Sequence, residues 1–196
     1  VRKSGVKLKY TWCMGGITFF LFLVETVTGV LLMFYYRPTV EYAYVDIQGL
    51  RAHVTLGLLR EIHRWGAHAM VITVWLHMYR VFLTGSYKPP REFNWVVGVI
   101  LLLLTLLLSF TGYLLPWDQL AYWAVTVGTN IVSSAPVAGT ILRQTFIGGR
   151  EIGEATLVRF YLLHIIALPL AVAVLFGYHM WRVRKDGGLA RAEHDA

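Results

Sequence analysis

The chain has 196 residues, of which 57% are hydrophobic and only 15% are charged, whereas a soluble domain carries roughly 25% charged residues. This composition excludes an ordinary soluble globular protein and indicates an integral membrane protein. The net charge is +7, and the single cysteine excludes an internal disulfide. Nothing in the distribution of charge indicates a nucleic-acid partner.

Four apolar stretches are long enough to cross a membrane, which takes roughly 20 helical residues for a core of about 30 Å. They cover about residues 11–36, 57–83, 93–117 and 160–184. The first stretch is too long for the apolar region of a signal peptide and lacks an A-x-A cleavage site, so we expect it to remain as a helix. Because helices satisfy their own backbone in lipid, we predict an all-α antiparallel four-helix membrane bundle, forming one domain over residues 1–196.

The connections between the predicted helices differ in length. Residues 37–56 and 118–159 form two long connections on one side of the membrane. The second is rich in glycine, serine and proline and is expected to hold short surface helices. The connection on the other side, "TGSYKPPREF", is short.

Basic residues concentrate on the side that holds both termini and the short connection. Eleven of the eighteen lie there, giving that side a net charge of +7 against +1 opposite. They are Arg2, Lys3, Lys7, Lys9, Arg80, Lys88, Arg91, Arg182, Arg184, Lys185 and Arg191. Since lysine and arginine mark the cytoplasmic side, both termini are predicted on the cytoplasm-like, negative (n) side and the long connections on the positive (p) side.

The second and fourth predicted helices each carry two histidines at similar spacing. His63 and His77 are fourteen residues apart, and His164 and His179 are fifteen apart. At 100° per residue, each pair looks out from roughly one helix face, about 21 to 22 Å apart along the axis. Both helices run in the same direction, so His63 is matched in depth with His164 and His77 with His179. Two imidazole pairs facing each other across a bundle are typical of haems with two axial histidines.

The first and third predicted helices carry glycines at the same interval. Gly15 and Gly29 are fourteen residues apart, as are Gly98 and Gly112. Glycine is common in membrane helices for ordinary packing, so each one alone is weak evidence. The repeated interval predicts that these glycines give a flat haem room against the helix.

Arginines near the histidines are candidate partners for haem propionates. Arg64 directly follows His63, and Arg91 and Arg184 lie near the predicted n side. The alternative is that these long side chains extend to the membrane surface without binding a cofactor.

Several long motifs resemble the cytochrome b6 family, the haem-bearing subunits of b6f-type quinol oxidoreductases. They are "CMGGITFFLFLVETVTG", "FYYRPTV", "HRW", "LHMYRVFLTG", "KPPREFNWVVGV", "TGYLLPWDQLAYWAV", "RFYLLH" and "RKDGG". The resemblance covers residues 10 to 188. The fifteen-residue histidine interval also resembles this family, whereas the longer mitochondrial-type cytochromes b use fourteen.

The resemblance implies a cofactor set. His63 and His164 would ligate a p-side haem b, and His77 and His179 an n-side haem b. Cys13 would bind a third haem, of c type, through one thioether next to the n-side haem, although the usual C-x-x-C-H motif is absent.

The resemblance also implies a function and an assembly. The chain would be the transmembrane electron-transfer subunit of a quinol:cytochrome c or plastocyanin-type oxidoreductase, coupled to proton translocation and inactive alone. It would pass electrons from quinol, plastoquinol or menaquinol, to quinone at the n side. The implied partners are a subunit IV-like membrane protein, a Rieske iron-sulfur protein and a c-type cytochrome, in a dimer of the whole complex in a bacterial or thylakoid membrane.

Glu25 departs from the family, where glutamine is usual at the matching position. An intramembrane carboxyl is a functional candidate, and the alternative is a protonated, hydrogen-bonded acid in place of the amide. Two other functions stay open from the residues alone. One is a two-haem membrane anchor of a hydrogenase or formate dehydrogenase, and the other is a haem-free transporter that relays protons through its histidines.

Overall fold

A computed structural model describes residues 12–186, and every regular element within that range is helical. The elements are α1 (Met14–Met33), α2 (Ala43–Ala52), α3 (Val54–Leu83), α4 (Glu92–Leu114), α5 (Gln119–Ser133), α6 (Gly139–Ile147), α7 (Glu154–Leu162), a π-helical turn (Leu163–Ala167) and α8 (Leu168–Lys185). Five of the eleven basic residues on which the predicted membrane orientation rests lie outside the described range: Arg2, Lys3, Lys7, Lys9 and Arg191.

Three helical segments in the described range are long and apolar enough to cross a membrane. They are Met14–Met33, Glu92–Leu114 and the continuous stretch Glu154–Lys185. Helix α3 is longer than α1, with 30 residues, but its histidines and arginines make it less apolar. The chain is therefore an all-α membrane protein with three long apolar helices, and a fourth crossing by α3 stays a prediction.

The long helices pack in two pairs, α1 along α3 and α4 along α8, and α3 also contacts α4. A hydrogen bond of 3.1 Å joins the hydroxyls of Thr18 on α1 and Thr73 on α3. The rings of Phe19 and Phe176 stack between α1 and α8, with centroids 4.2 Å apart. The four long segments therefore surround one shared interior.

The shorter helices cover the end of the bundle at which α1 and α4 finish. Their tightest cluster contains Leu114, Ala121, Val125 and Phe160, which are all nearly inaccessible. The carboxylate of Asp118 caps α5 by accepting the Ala121 N–H at 2.8 Å, as is usual for an aspartate at this position. The connection predicted to hold short helices thus contains α5 and α6.

Two predicted helix ends differ from the observed ones for backbone reasons. Helix α1 begins at Met14 rather than residue 11, because Trp12 and Cys13 have φ angles of 48° and 49° in the left-handed region. Helix α4 ends at Leu114 rather than residue 117, since Pro116 has no N–H to continue the helix. The carbonyl of Leu115 accepts a hydrogen bond of 2.7 Å from the Tyr36 hydroxyl.

The fourth predicted helix starts six residues earlier than expected and contains a π-helical turn. In that turn the Leu168 N–H donates to the Leu163 carbonyl, five residues back. Pro169 follows directly, within the first turn of α8. A π-turn holds about one residue more than an α-turn, so fifteen residues across it correspond in direction to about fourteen in a regular helix.

Candidate haem sites

The structure brings the four histidines together as two pairs. The ring centroids of His63 and His164 lie 6.2 Å apart with the ring planes at 85°. Those of His77 and His179 lie 6.5 Å apart with the planes at 80°. In each pair one imidazole lies on α3. The other lies on the continuous helix that packs along α4, His164 in its π-helical turn and His179 in α8.

This separation fits a metal held between two imidazoles. Two metal–nitrogen bonds of about 2 Å, added to two ring radii of about 1.1 Å, place the centroids ~6.2 Å apart. Within residues 12–186 no group of three or more histidine, cysteine or acidic side chains is arranged to hold a metal ion. Each pair therefore offers two imidazoles only, which is the donor set that a haem requires from its protein.

A threonine on α1 determines which nitrogen of His63 carries the proton. The Thr28 hydroxyl donates to the Val24 carbonyl at 2.7 Å and lies 2.9 Å from His63 Nδ1. Because a hydroxyl has only one proton, it can only accept from the imidazole. Nδ1 of His63 is therefore the donor, and its Nε2 keeps the lone pair that binds metal.

A second threonine, on α4, does the same for His164. The Thr111 hydroxyl donates to the Leu107 carbonyl at 2.9 Å and lies 3.1 Å from His164 Nδ1. The Leu108 carbonyl, which can only accept, is also 3.1 Å from that nitrogen. Both imidazoles of the His63–His164 pair thus present an unprotonated Nε2.

Among residues 12–186, no threonine hydroxyl hydrogen-bonds the His77–His179 pair as Thr28 and Thr111 do the other pair. Nδ1 of His179 is buried beside the Asn94 backbone and has no hydrogen bond of good geometry to the described residues. The two pairs share their spacing but not their hydrogen-bond support.

Three of the predicted glycines face one imidazole each, whereas the atom nearest to a Cβ built on Gly98 is Sδ of Met78, at 3.5 Å. A Cβ built on the glycine would lie against Cε1 of that ring: Gly15 and His77 at 3.2 Å, Gly29 and His63 at 3.2 Å, Gly98 and His179 at 3.9 Å, Gly112 and His164 at 2.5 Å. Contacts under 3.0 Å require the ring or the helix to move. Gly15, Gly29 and Gly112 therefore make room for the histidine rings, a contact that the sequence alone did not indicate, whereas Gly98 is at ordinary contact distance from His179.

A cavity surrounds the His77–His179 pair. Its lining includes Cys13, Gly15, Arg80 and both histidines. Nε of Arg80 is buried and makes no hydrogen bond to the described residues. Arg80 was not among the arginines predicted from the sequence, yet it is the one that lines this cavity.

The three predicted arginines have different surroundings. Arg64 forms an ion pair of 2.6 Å with Glu61. Arg91 has a buried Nε that makes no hydrogen bond within the described range. Arg184 is exposed on the last turn of α8. His68 lies apart from both pairs, and its Nδ1 is 2.6 Å from the Arg64 carbonyl.

Sequence reasoning also missed the two threonines, although a signal was present. Gly29 and Gly112, which face the first pair, both follow a threonine, whereas Gly15 and Gly98 follow methionine and valine. The dipeptide Thr-Gly therefore distinguishes one site from the other.

Comparison with known proteins places the chain in a family. The family model described as "Cytochrome b/b6/petB" matches residues 2–187. Cytochrome b6 of Oltmannsiellopsis viridis is 49% identical over 177 residues, which are 90% of this chain and 82% of that protein. The cytochromes b6 of Auxenochlorella protothecoides and Synechococcus sp. (strain JA-3-3Ab) are each 48% identical with the same coverage.

A solved structure shows the same fold. A chain of the "Hyperthermophilic respiratory Complex III" superposes with a TM-score of 0.82 at 30% identity and covers 90% of this chain. This chain spans about half, 48%, of that longer chain.

The helical membrane fold and the two histidine pairs define a membrane-embedded cytochrome of b type. The chain belongs to the cytochrome b6 family, whose members are subunits of quinol-oxidising electron-transfer complexes of the b6f/bc type. A hydrogenase-type anchor and a haem-free transporter do not fit this family.

Proposed function

We propose that the chain binds two haems b, one between His63 and His164 at the p side and one between His77 and His179 at the n side. The observation that carries this proposal is the pair of imidazole separations, 6.2 and 6.5 Å, both close to the value for a shared metal. Bound haem iron supplies reversible one-electron oxidation and reduction. With sites about 21 Å apart along α3, the chain carries electrons across the membrane.

The residues of this chain contribute ligation, orientation and a dry surrounding. The histidines supply both axial nitrogens, Thr28 and Thr111 fix the tautomer at the p-side site, and Gly15, Gly29 and Gly112 admit the rings. Arg80 and Arg91 each have a buried Nε without a hydrogen bond to the described residues and suit the propionates of the n-side haem. Arg184 is the third candidate there, and Arg64, which follows His63, is the candidate at the p-side haem.

A third haem, of c type, is proposed on Cys13. Cys13 lies at the start of α1 and lines the same cavity as His77 and His179. Its left-handed backbone, with φ 49°, marks the N-terminal boundary of α1. The thiol would form one thioether bond, and the haem would face the n-side quinone.

The substrate and assembly follow from the family as proposals. Quinol is oxidised at the p side and quinone is reduced at the n side, with proton translocation. The partners are a subunit IV-like protein, a Rieske iron-sulfur protein and a c-type cytochrome, in a dimeric complex. Within it we propose that residues 1–196 form one four-helix domain with both termini on the n side, in a bacterial or thylakoid membrane.

The test of the two b sites is a redox titration of the purified complex followed in the b absorption band. His164→Leu is expected to lose the p-side component and His179→Leu the n-side component, because each removes one axial ligand. His68→Leu, the control, should keep both. Two b components in His164→Leu would contradict the assignment.

The test of the third haem is a denaturing gel stained for haem peroxidase activity. A stained band at the mass of the chain is expected, and Cys13→Ser should remove it while both b components remain. A parent protein without a stained band would contradict the covalent haem.

A further inference from the structure

Glu25 brings a carboxyl group directly to the p-side histidine pair. It lies on α1, and its Oε2 is 3.1 Å from Nδ1 of His63, with 14% of the Glu25 side chain exposed. The Thr28 hydroxyl is 2.9 Å from the same nitrogen. Nδ1 of His63 therefore has two oxygen neighbours, both from α1.

The opposing helix makes room for this carboxyl. A Cβ built on Gly66 of α3 would overlap Oε1 of Glu25. Oε1 is buried and makes no hydrogen bond to the described residues. Any side chain at position 66 would push the carboxyl away from its place, so the glycine and the glutamate form one fitted contact between α1 and α3.

The direction of the hydrogen bond follows from Thr28. Its hydroxyl proton goes to Val24, so Nδ1 of His63 is protonated and donates. Oε2 of Glu25 lies 3.1 Å from the same nitrogen, so it is a second acceptor that shares the single Nδ1 proton with the Thr28 oxygen. In metal sites an acceptor on the second ring nitrogen fixes the ring orientation and makes the ligand more basic.

We propose that Glu25 is a positioning residue for the p-side haem: its carboxyl accepts the Nδ1–H of His63 and thereby orients that ligand and increases its electron donation to the iron. The inference rests on the proposed function, since it takes His63 to be an axial ligand. His164 receives its support from neutral acceptors only, Thr111 and the Leu108 carbonyl. The two axial ligands of one haem therefore differ in their hydrogen-bond acceptors, because only His63 has a carboxyl group beside its Nδ1.

A more basic axial ligand stabilises the oxidised iron more than the reduced iron. Losing the acceptor should therefore shift the midpoint potential of the p-side haem to more positive values. The n-side haem, about 21 Å away along α3, should not change.

The test uses the purified complex with Glu25→Leu and Glu25→Gln. Leucine removes the acceptor at nearly the same volume, whereas the amide oxygen of glutamine can still reach Nδ1. We expect a positive shift of the p-side potential in Glu25→Leu, with a changed low-spin ferric EPR signal, and less than half that shift in Glu25→Gln. If Glu25→Leu does not retain the haem, Glu25→Ala takes its place.

Thr26→Val is the matched control, because Thr26 lies on the same helix and its hydroxyl donates only to the Phe22 carbonyl. It should leave both potentials unchanged. The inference is overturned by an unchanged p-side potential in Glu25→Leu, by equal shifts in the leucine and glutamine variants, or by a shift shared by the n-side haem. A parent complex with no b haem would instead overturn the proposed function.

Discussion

The two histidine pairs have nearly the same ring separation but differ in what surrounds them. The His63–His164 pair is held by threonine hydroxyls, a carbonyl and the Glu25 carboxyl, whereas the His77–His179 pair borders a cavity that contains Cys13 and Arg80. The glycine contacts are 3.2 and 2.5 Å at the first pair and 3.2 and 3.9 Å at the second. The first pair is therefore the tight site, hydrogen-bonded and more crowded, and the second is the open site.

This difference matches the roles proposed for the two sites. A hydrogen-bonded pair suits a haem that only passes electrons on, because the hydrogen bonds fix the orientation of its ligands. The cavity at the other pair brings Cys13 beside His77 and His179, where the proposed third haem would attach. The following variants test the contrast, in order of expected effect.

Replacing glycine by alanine should harm the tight site far more than the open one. In Gly112→Ala the new Cβ would meet Cε1 of His164 at 2.5 Å, whereas in Gly98→Ala it would lie 3.9 Å from His179. Overpacking of this kind costs about 1–3 kcal/mol. A redox titration should show the p-side component lost or weakened in Gly112→Ala and both components retained in Gly98→Ala. Equal damage in the two variants would remove the contrast.

Replacing Arg80 should affect only the open site. Arg80→Ala removes a cation from the wall of the cavity, and a hydrogen bond to a charged group contributes about 1.5–3 kcal/mol. The potential of the n-side haem should fall, because a nearby positive charge favours the reduced iron. Arg64→Ala, which removes a cation beside His63 and paired with Glu61, is the matched control and should leave the n-side potential unchanged. A fall in the p-side potential instead would contradict the placement of Arg80.

Removing one threonine hydroxyl should have a smaller effect on the tight site. Thr111→Val deletes one acceptor of His164, but the Leu108 carbonyl remains at 3.1 Å. A single hydrogen bond of this type contributes about 1 kcal/mol. The p-side potential should rise slightly while the n-side potential stays constant, whereas a change at the n side alone would count against the proposed support.

The smallest effect is expected outside both sites, in the connection after α1. Arg37 hydrogen-bonds both carboxylate oxygens of Asp46, at 2.6 and 3.0 Å, and thereby holds the pKa of Asp46 below its ordinary value. A lowered pKa in the folded state means that this contribution is fully present above the unfolded value of about 3.9 and is lost as the pH falls through the lower folded value.

Limited proteolysis of residues 37–52 measures this loss. Cleavage should stay constant from neutral pH down to about 5 and increase below about 4. Cleavage of Asp46→Asn should not depend on pH in this way. The difference between the two b potentials should be the same in the parent and in Asp46→Asn, and it should stay constant between neutral pH and pH 5. Constant cleavage of the parent down to pH 3 would show that the ion pair does not hold the connection.

Periodicity predicted the positions of the histidines and glycines because helix geometry is fixed by the backbone. The intervals of fourteen and fifteen residues already matched His63 with His164 in membrane depth. They also predicted glycines on the neighbouring helices at the depth of each histidine pair. The same reasoning could not find the role of Thr28, since a hydroxyl that bonds its own helix and one that also meets an imidazole look alike in a sequence. Arg80 was missed for a related reason, because a sequence does not show where the cavity opens.

The helix boundaries, like the site residues, could be predicted only in part. Apolar length located the spans, but the left-handed residues Trp12 and Cys13 and the missing N–H of Pro116 set the actual ends of α1 and α4. The π-turn could not be predicted, because no residue type in "LHIIA" requires it. Pro169 gave the nearest hint, and the irregularity lies just before it.

The π-turn also changes how this chain should be compared with its relatives. It accommodates about one extra residue, so fifteen residues in this chain point His164 and His179 as fourteen would in a regular helix. When this chain is aligned with a cytochrome b that has the shorter count, the gap belongs within Leu163–Ala167, beside the ligand itself. A one-residue deletion within α8 itself, between Leu168 and His179, would rotate His179 by about 100° away from its partner.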